Sequence, residues 1–297
     1  MSHHHDPTRN IKIAFFLNLS FTLFEIGGGL WTNSVAILSE ALHDLGDTVA
    51  LGLSWYFADI SQKKPDSQFS YGYKRYSLIG ALISSIVLLL GSIAILFETI
   101  PRIFSPEDVH LKGMIFLAAI GLFINGIAAL KVWSGKTQNE RMVLLHLLED
   151  TLGWLAMLIA ALVMLFTKIS ILDPILSICI TLYILWYTFK NLRDTINIFL
   201  QATPSNVNIK QLEVKLLKEL SINSIHAWHL WTMDGDYHVL SCHIVVANDL
   251  SAEQIIHLKK QIREIFKQHH IKHITIEIEY EKEFCEFVDI DIQKNTV

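Results

Sequence analysis

Six apolar stretches constrain this chain more than any other feature. In windows of about 20 residues, the length a helix needs to cross roughly 30 Å of hydrocarbon, residues 11–31, 35–58, 78–100, 112–133, 143–166 and 172–190 read as membrane spans. Lipid offers no partner to a backbone N–H or C=O, so each span is expected to be helical. From about residue 203 the text turns to mixed charge, and eight of the fourteen histidines fall there, which reads as a soluble domain. At 52% hydrophobic and 18% charged, the 297 residues are too apolar for an ordinary soluble protein. The first apolar segment is long, lacks a small-residue cleavage pattern and is expected to stay in the mature protein as a span.

Basic residues orient the spans. With the N-terminus inside, the inner loops collect Lys63, Lys64, Lys74, Arg75, Lys131 and Arg141 among others, against Arg102, Lys112 and Lys168 outside, which predicts that both termini are cytoplasmic. Cys179, Cys242 and Cys285 have no CxxC spacing, and no disulfide framework is expected. A net charge of -5 gives no sign of nucleic-acid binding. No GxxxxGK[ST] sequence is present, which makes an ion gradient the expected energy source for any transport.

Inside the second apolar stretch stands HDLGD, residues 43–47. A charged side chain in a membrane helix costs a few kcal/mol even on lenient scales, so such groups face a partner or a water-filled cavity. His43 and Asp47 are four apart, on one helical face, with Asp44 about 100° away. The fifth stretch repeats the spacing in HLLED, with His146 and Asp150 on one face and Glu149 off it. Two HxxxD helices can bring together two imidazoles and two carboxylates. Such a set suits tetrahedral zinc, with iron, cobalt and cadmium as competitors, whereas an all-oxygen octahedral set would point to manganese or magnesium. Catalytic zinc keeps an open position, so four protein ligands argue against a metalloenzyme. The plainer reading of either pair alone is an interhelical hydrogen bond; duplication on two spans favours the metal.

These residues resemble a known family. NSVAILSEALHDLGDTVAL is similar to the second-helix signature of the cation diffusion facilitators, FSYGYKRYSLIGAL to the start of their third helix, LLHLLEDTLGWLAMLIAAL to their fifth and DPILSICITLYILWYTFKNLRDTINIFLQATP to their sixth. The resemblance runs from about residue 11 to 281. It implies a six-helix homodimeric transporter in the lipid bilayer that exports Zn2+ or another divalent metal ion from the cytoplasm in exchange for protons. It implies transport-site positions at His43, Asp47, His146 and Asp150, with zinc preferred over cadmium. The chemistry agrees: metal binds neutral imidazole and ionised carboxylate, so protons compete for the same atoms near histidine's ordinary pKa of about 6.5. The implied alternatives are a broader exporter of Fe, Co, Cd or Mn, and a membrane-anchored zinc sensor that transports nothing.

Four segments are expected: a disordered tail over 1–10, a transmembrane transport domain over 11–202, a cytoplasmic αββαβ ferredoxin-like domain over 203–284, and a tail over 285–297. In the αββαβ domain, LEVKLLKEL at 212–220 has helical spacing; strands at 225–233 and 237–246 flank the turn residues DGD. Ser251 and Gln254 open an amphipathic helix with a capping-box pattern, and HITIEIEY at 273–280 alternates as a strand. By the family pattern, His226, His243, His257 and Glu279 match residues that hold a regulatory zinc in the dimerisation domain of some members, while His229, His238 and His273 have no settled ligand role. Glu25 in the first span is either a proton relay or an interhelical hydrogen-bonding group, and Asn18 and Asn125 read as hydrogen bonds between helices. KKPDSQFSYGYKR offers only Asp66 where some members place a third metal site, with Phe69 and Tyr73 where histidines would stand. WSGKTQNER lacks a histidine-rich insert, and the histidines at 3–5 read as part of the disordered tail. Compact loops suit a bacterial inner membrane.

Overall fold

The computed structural model describes residues 7–133, 138–281, 283 and 285. The tail with the histidines at 3–5, residues 134–137 of the WSGKTQNER loop, and the C-terminal tail apart from Cys285 lie outside the described residues. Two compact units divide the chain, Met1–Leu192 and Arg193–Val297.

The first unit is helical: α1 (Pro7–Thr32), α2 (Val35–Ser61), α3 (Tyr76–Phe104), α4 (Leu111–Val132), α5 (Gln138–Thr167) and α6 (Leu172–Phe199), the last running into the second unit. α1, α3, α4, α5 and α6 are long and apolar enough to cross a membrane. α2, at 27 residues or about 40 Å, has the length, but Glu40, Asp44 and Asp47 put three carboxylates within eight residues of its sequence. α6 extends nine residues past the apolar stretch read from the sequence. Asn191, Arg193 and Asp194 end the hydrophobic run without ending the helix, since none of them breaks a helix as proline would.

α2 lies between α1 and α3 and meets α5, while α4 packs on α5 and α1. Ile37, Met114, Leu117, Trp154, Met157 and Met164 form the apolar core of this contact. Phe97, Phe104, Leu130 and Phe166 point outward, as lipid-facing side chains do. α6 attaches through a polar seam. Asp173 accepts from the Val35 N–H (2.9 Å) and the Ser34 hydroxyl (2.5 Å), and Ser177 bonds to Ser39 (2.7 Å) and Thr99 (3.0 Å). Ser34 also caps α2 by accepting from the Ile37 N–H. At the same end Arg102 donates to the carbonyl and side-chain oxygen of Asn33, both at 3.0 Å, and pairs with Glu98 and Glu107. Asn18 bonds from α1 to Asp44 and Thr48 of α2 as expected; Asn125 instead donates to the Gly121 carbonyl of its own helix, because a short amide reaches the carbonyl one turn back.

The second unit runs α7 (Ile209–Glu219), β1 (Ser224–Thr232), β2 (His238–Val246), α8 (Ala252–Gln268) and β3 (Ile271–Tyr280), the order read from the sequence. The sheet order is β1-β2-β3, antiparallel then parallel, with α8 as the crossover that a parallel pair requires. The DGD turn holds because the Asp234 carboxylate accepts from the Asp236 and Tyr237 N–H groups while Gly235 takes φ +96°. Ser251 and Gln254 close the capping box on α8. Leu212, Leu216, Leu240, Ile244, Ile262 and Phe266 form the core between helices and sheet.

Candidate metal sites and the family of the chain

The HxxxD spacing of α2 and α5 puts each histidine one turn from its aspartate, and packing of α2 on α5 turns the two faces together. His146 Nε2 lies 3.0 Å from Asp47 Oδ2 on α2 and 3.8 Å from Asp150 Oδ2 on its own helix. The His43 and His146 rings meet edge to face with centroids 5.8 Å apart. Ligand atoms of His43, His146 and Asp150 all fall within 4.8 Å of one another; Asp47 joins them through His146. Four ligands about 2 Å from a tetrahedral zinc stand roughly 3.3 Å apart, so the group needs little closing to surround one ion.

Its polar atoms are otherwise unserved. Both ring nitrogens of His43 and Asp150 Oδ1 are buried with no hydrogen-bond partner, and Asp47 Oδ2 lacks hydrogen-bond geometry despite its proximity to His146. Buried polar groups are normally satisfied, and a cation is what nitrogen lone pairs and carboxylate oxygens share as a partner. Glu25 is 1% exposed, and neither of its carboxylate oxygens has a hydrogen-bonding partner among the described residues. Glu40, 5% exposed, was not signalled by the HxxxD pattern, although its spacing of three from His43 places it on the same face.

In the second unit, pairing of β1 with β2 sets His226 opposite His243, and β3 sets Glu277 opposite His243 with Glu279 two residues further along, on the same face. His226 Nε2 is 3.1 Å from Glu279 Oε2, and His243 Nδ1 is 2.6 Å from Glu279 Oε1. Cys285 Sγ completes the cluster, 3.3 Å from His226 Nε2 and 3.4 Å from His243 Nδ1. Burial would raise the Glu279 carboxyl, but hydrogen bonds from Cys285 and His243 and the neighbouring imidazoles hold it below the usual carboxylate range. Cys242, buried among apolar groups, is pushed up to about 12 and is inert by contrast. The structure does not bring His257 to this cluster; it lies on α8 beside a groove with Ser221, Glu253 and Gln254. Cys285 was missed because it follows the last strand, where only the fold shows which way the chain turns. In the loop between α2 and α3, Asp66 is occupied by the Tyr73 hydroxyl (2.7 Å) and the Gln68 and Phe69 N–H groups.

A bundle of membrane-length helices with imidazoles and carboxylates converging at mid-helix, carrying an αββαβ domain with a second such cluster, defines an integral membrane protein that handles cations. Residues 11–200 match the family model of the cation efflux transmembrane domain, and residues 204–281 match that of the cation efflux protein, cytoplasmic domain. The chain belongs to the cation diffusion facilitator family of efflux transporters, and it is not an enzyme. It is 30% identical over 288 residues to the cadmium, cobalt and zinc/H(+)-K(+) antiporter of Bacillus subtilis, covering 95% of this chain and 93% of that one. It is 30% identical over 299 residues to zinc transporter ZitB of Escherichia coli, again 95% and 93%, and 30% identical over 285 residues to the metal cation efflux system protein CzcD of Cupriavidus metallidurans, covering 93% and 89%.

Proposed function

We propose that this protein exports Zn2+ from the cytoplasm in exchange for protons, holding the ion between His43 and Asp47 of α2 and His146 and Asp150 of α5. The observation that carries the reading is the meeting of the two HxxxD faces, with one imidazole nitrogen of His146 placed 3.0 Å from Asp47 and 3.8 Å from Asp150. In this reading α2 is the sixth span, its charges accepted because they face the ion path. Both termini lie in the cytoplasm of a bacterial cell, beneath the inner membrane. Zinc loads from inside, the helices rock, and protons arriving at the same nitrogens and oxygens from outside displace it. Glu25 relays protons beside Asp44. The domain over 203–284 is the ferredoxin-like dimerisation module, and His226, His243 and Glu279 hold a regulatory zinc there, joined by Cys285. His257 stays outside that set.

The test is zinc movement into proteoliposomes carrying the purified full chain, with and without an acidic interior, while internal pH is recorded. Zinc uptake that accelerates with the gradient and moves protons outward is expected, and Asp47→Ala should abolish it while the variant remains folded. Undiminished flux in Asp47→Ala would sink the site assignment. The names of the relatives favour one further reading, a wider range that takes cadmium and cobalt at the same ligands; competition of Cd2+ and Co2+ with zinc flux measures it.

A further inference from the structure

A cavity of about 210 Å3 opens beside the two HxxxD faces, between α2, α5 and α6. His43, Glu40, Glu149 and Asp150 supply a polar wall, and α6 contributes Cys179, Ile180, Tyr183 and Ile184. His43 and Asp150, both lining residues, are each more than nine-tenths buried, and both imidazole nitrogens of His43 and Oδ1 of Asp150 have no hydrogen-bond partner. Glu40 is buried as well. Among the described residues, no lysine or arginine lines the cavity. Gly153 of α5 makes the room: a Cβ there would stand 2.9 Å from Glu40 Oε1 and 3.3 Å from Oε2, so any larger residue would push the carboxylate off this wall.

Three carboxylates line this chamber, and two of them, Glu40 and Asp150, are buried; burying that pair without a cation is costly, whereas a divalent ion would satisfy both. We propose that Glu40 is a metal-contacting residue, an oxygen ligand that takes hold of the divalent ion as it leaves the two-His two-Asp site. The proposal rests on the transport-site reading. Glu40 precedes His43 by three residues, a displacement of about 4.5 Å along α2, and Gly153 follows Asp150 by three on the antiparallel α5. Glu40 and Gly153 therefore lie on the same side of the site, toward the end of α2 that Asp173 caps. An ion moving that way can keep an Asp150 oxygen while it exchanges His43 for Glu40, so it is handed over without passing through a bare state. Zinc accepts carboxylate oxygen at about 2.0–2.2 Å, which suits such an exchange.

The experiment compares Glu40→Gln and Glu40→Asp with wild type, measuring Zn2+ flux in proteoliposomes, equilibrium Zn2+ affinity in detergent and thermal unfolding. Glu40→Gln is expected to keep zinc affinity within about threefold and its melting temperature, while flux falls by about tenfold or more. Glu40→Asp, which retains the carboxylate, is expected to recover part of that flux. Flux in Glu40→Gln within about twofold of wild type would overturn the proposal. So would a loss of flux that follows a matching fall in melting temperature, or one that Glu40→Asp does nothing to recover. Wild-type protein without flux, or Asp47→Ala with full flux, would instead remove the transport-site reading beneath it.

Discussion

His146 works at the junction of two helices, and its Nε2 cannot satisfy Asp47 and Asp150 together as a single N–H donor. A metal ion resolves the conflict by accepting the nitrogen lone pair and drawing both carboxylates to itself. The HxxxD pairs were legible in the sequence because a spacing of four is a local rule of the helix. Cys285 was not, because its meeting with His226 depends on where the chain turns after β3. His257 sits at a family position without reaching the cluster, since α8 packs its apolar face on the sheet and leaves that side chain by the groove. Cys285→Ser replaces a soft sulfur donor by a weak oxygen one. Zinc and cadmium bound at the cytoplasmic site should weaken by about tenfold or more, with cadmium losing its thiolate charge-transfer absorption; unchanged affinity and spectrum would exclude the thiol from the site. His238 gives a separate signal. Burial lowers its imidazole below the ordinary range, against the pull of Asp236, so the folded domain takes up a proton less readily than the unfolded chain. Its contribution to stability is full above about pH 6.5 and is lost as pH falls through the lowered folded-state value. In metal-free protein, unfolding of the cytoplasmic domain should ease between pH 7 and pH 5.5, and His238→Gln should flatten that slope.

At the scale of elements, apolar length located the helices α1 to α6, and alternation with turn residues located the hairpin. What composition could not supply was the end of α6, where helical backbone outlasts hydrophobic text, while Glu40, Asp44 and Asp47 set α2 apart from the purely apolar helices. The seam between α2 and α6 was equally hidden: DPILS names an aspartate, but only the fold shows that its carboxylate caps another helix. Asp173→Ala should remove that cap and leave the Val35 N–H unserved inside the protein, a loss of about 1–2 kcal/mol readable as a lower melting temperature in detergent. Ser251→Ala opens the capping box of α8 and should cost about 1 kcal/mol in the other unit. A variant at either position with wild-type unfolding would show that the cap carries no weight.

Among the described residues, one candidate metal cluster falls in each of the two compact units, so in the proposed reading zinc would act on stability and on transport through different residues. Zinc at a hundred times its dissociation constant for the cytoplasmic cluster should stabilise that domain by about 2.7 kcal/mol, and chelation should reverse the gain. His226→Ala should abolish the effect without touching the membrane quartet, while Asp47→Ala should leave it whole; stabilisation surviving in His226→Ala would move the ion elsewhere. The Asp173 clamp gives the membrane unit a mechanical character of its own. Held at Val35, α2 is a lever with its fulcrum at one end: His43 lies about 12 Å from the fulcrum and Ser61 about 39 Å. A tilt that shifts the ion by 1 Å therefore sweeps the far tip by about 3 Å, and small rearrangements around the metal become large ones where the helix ends.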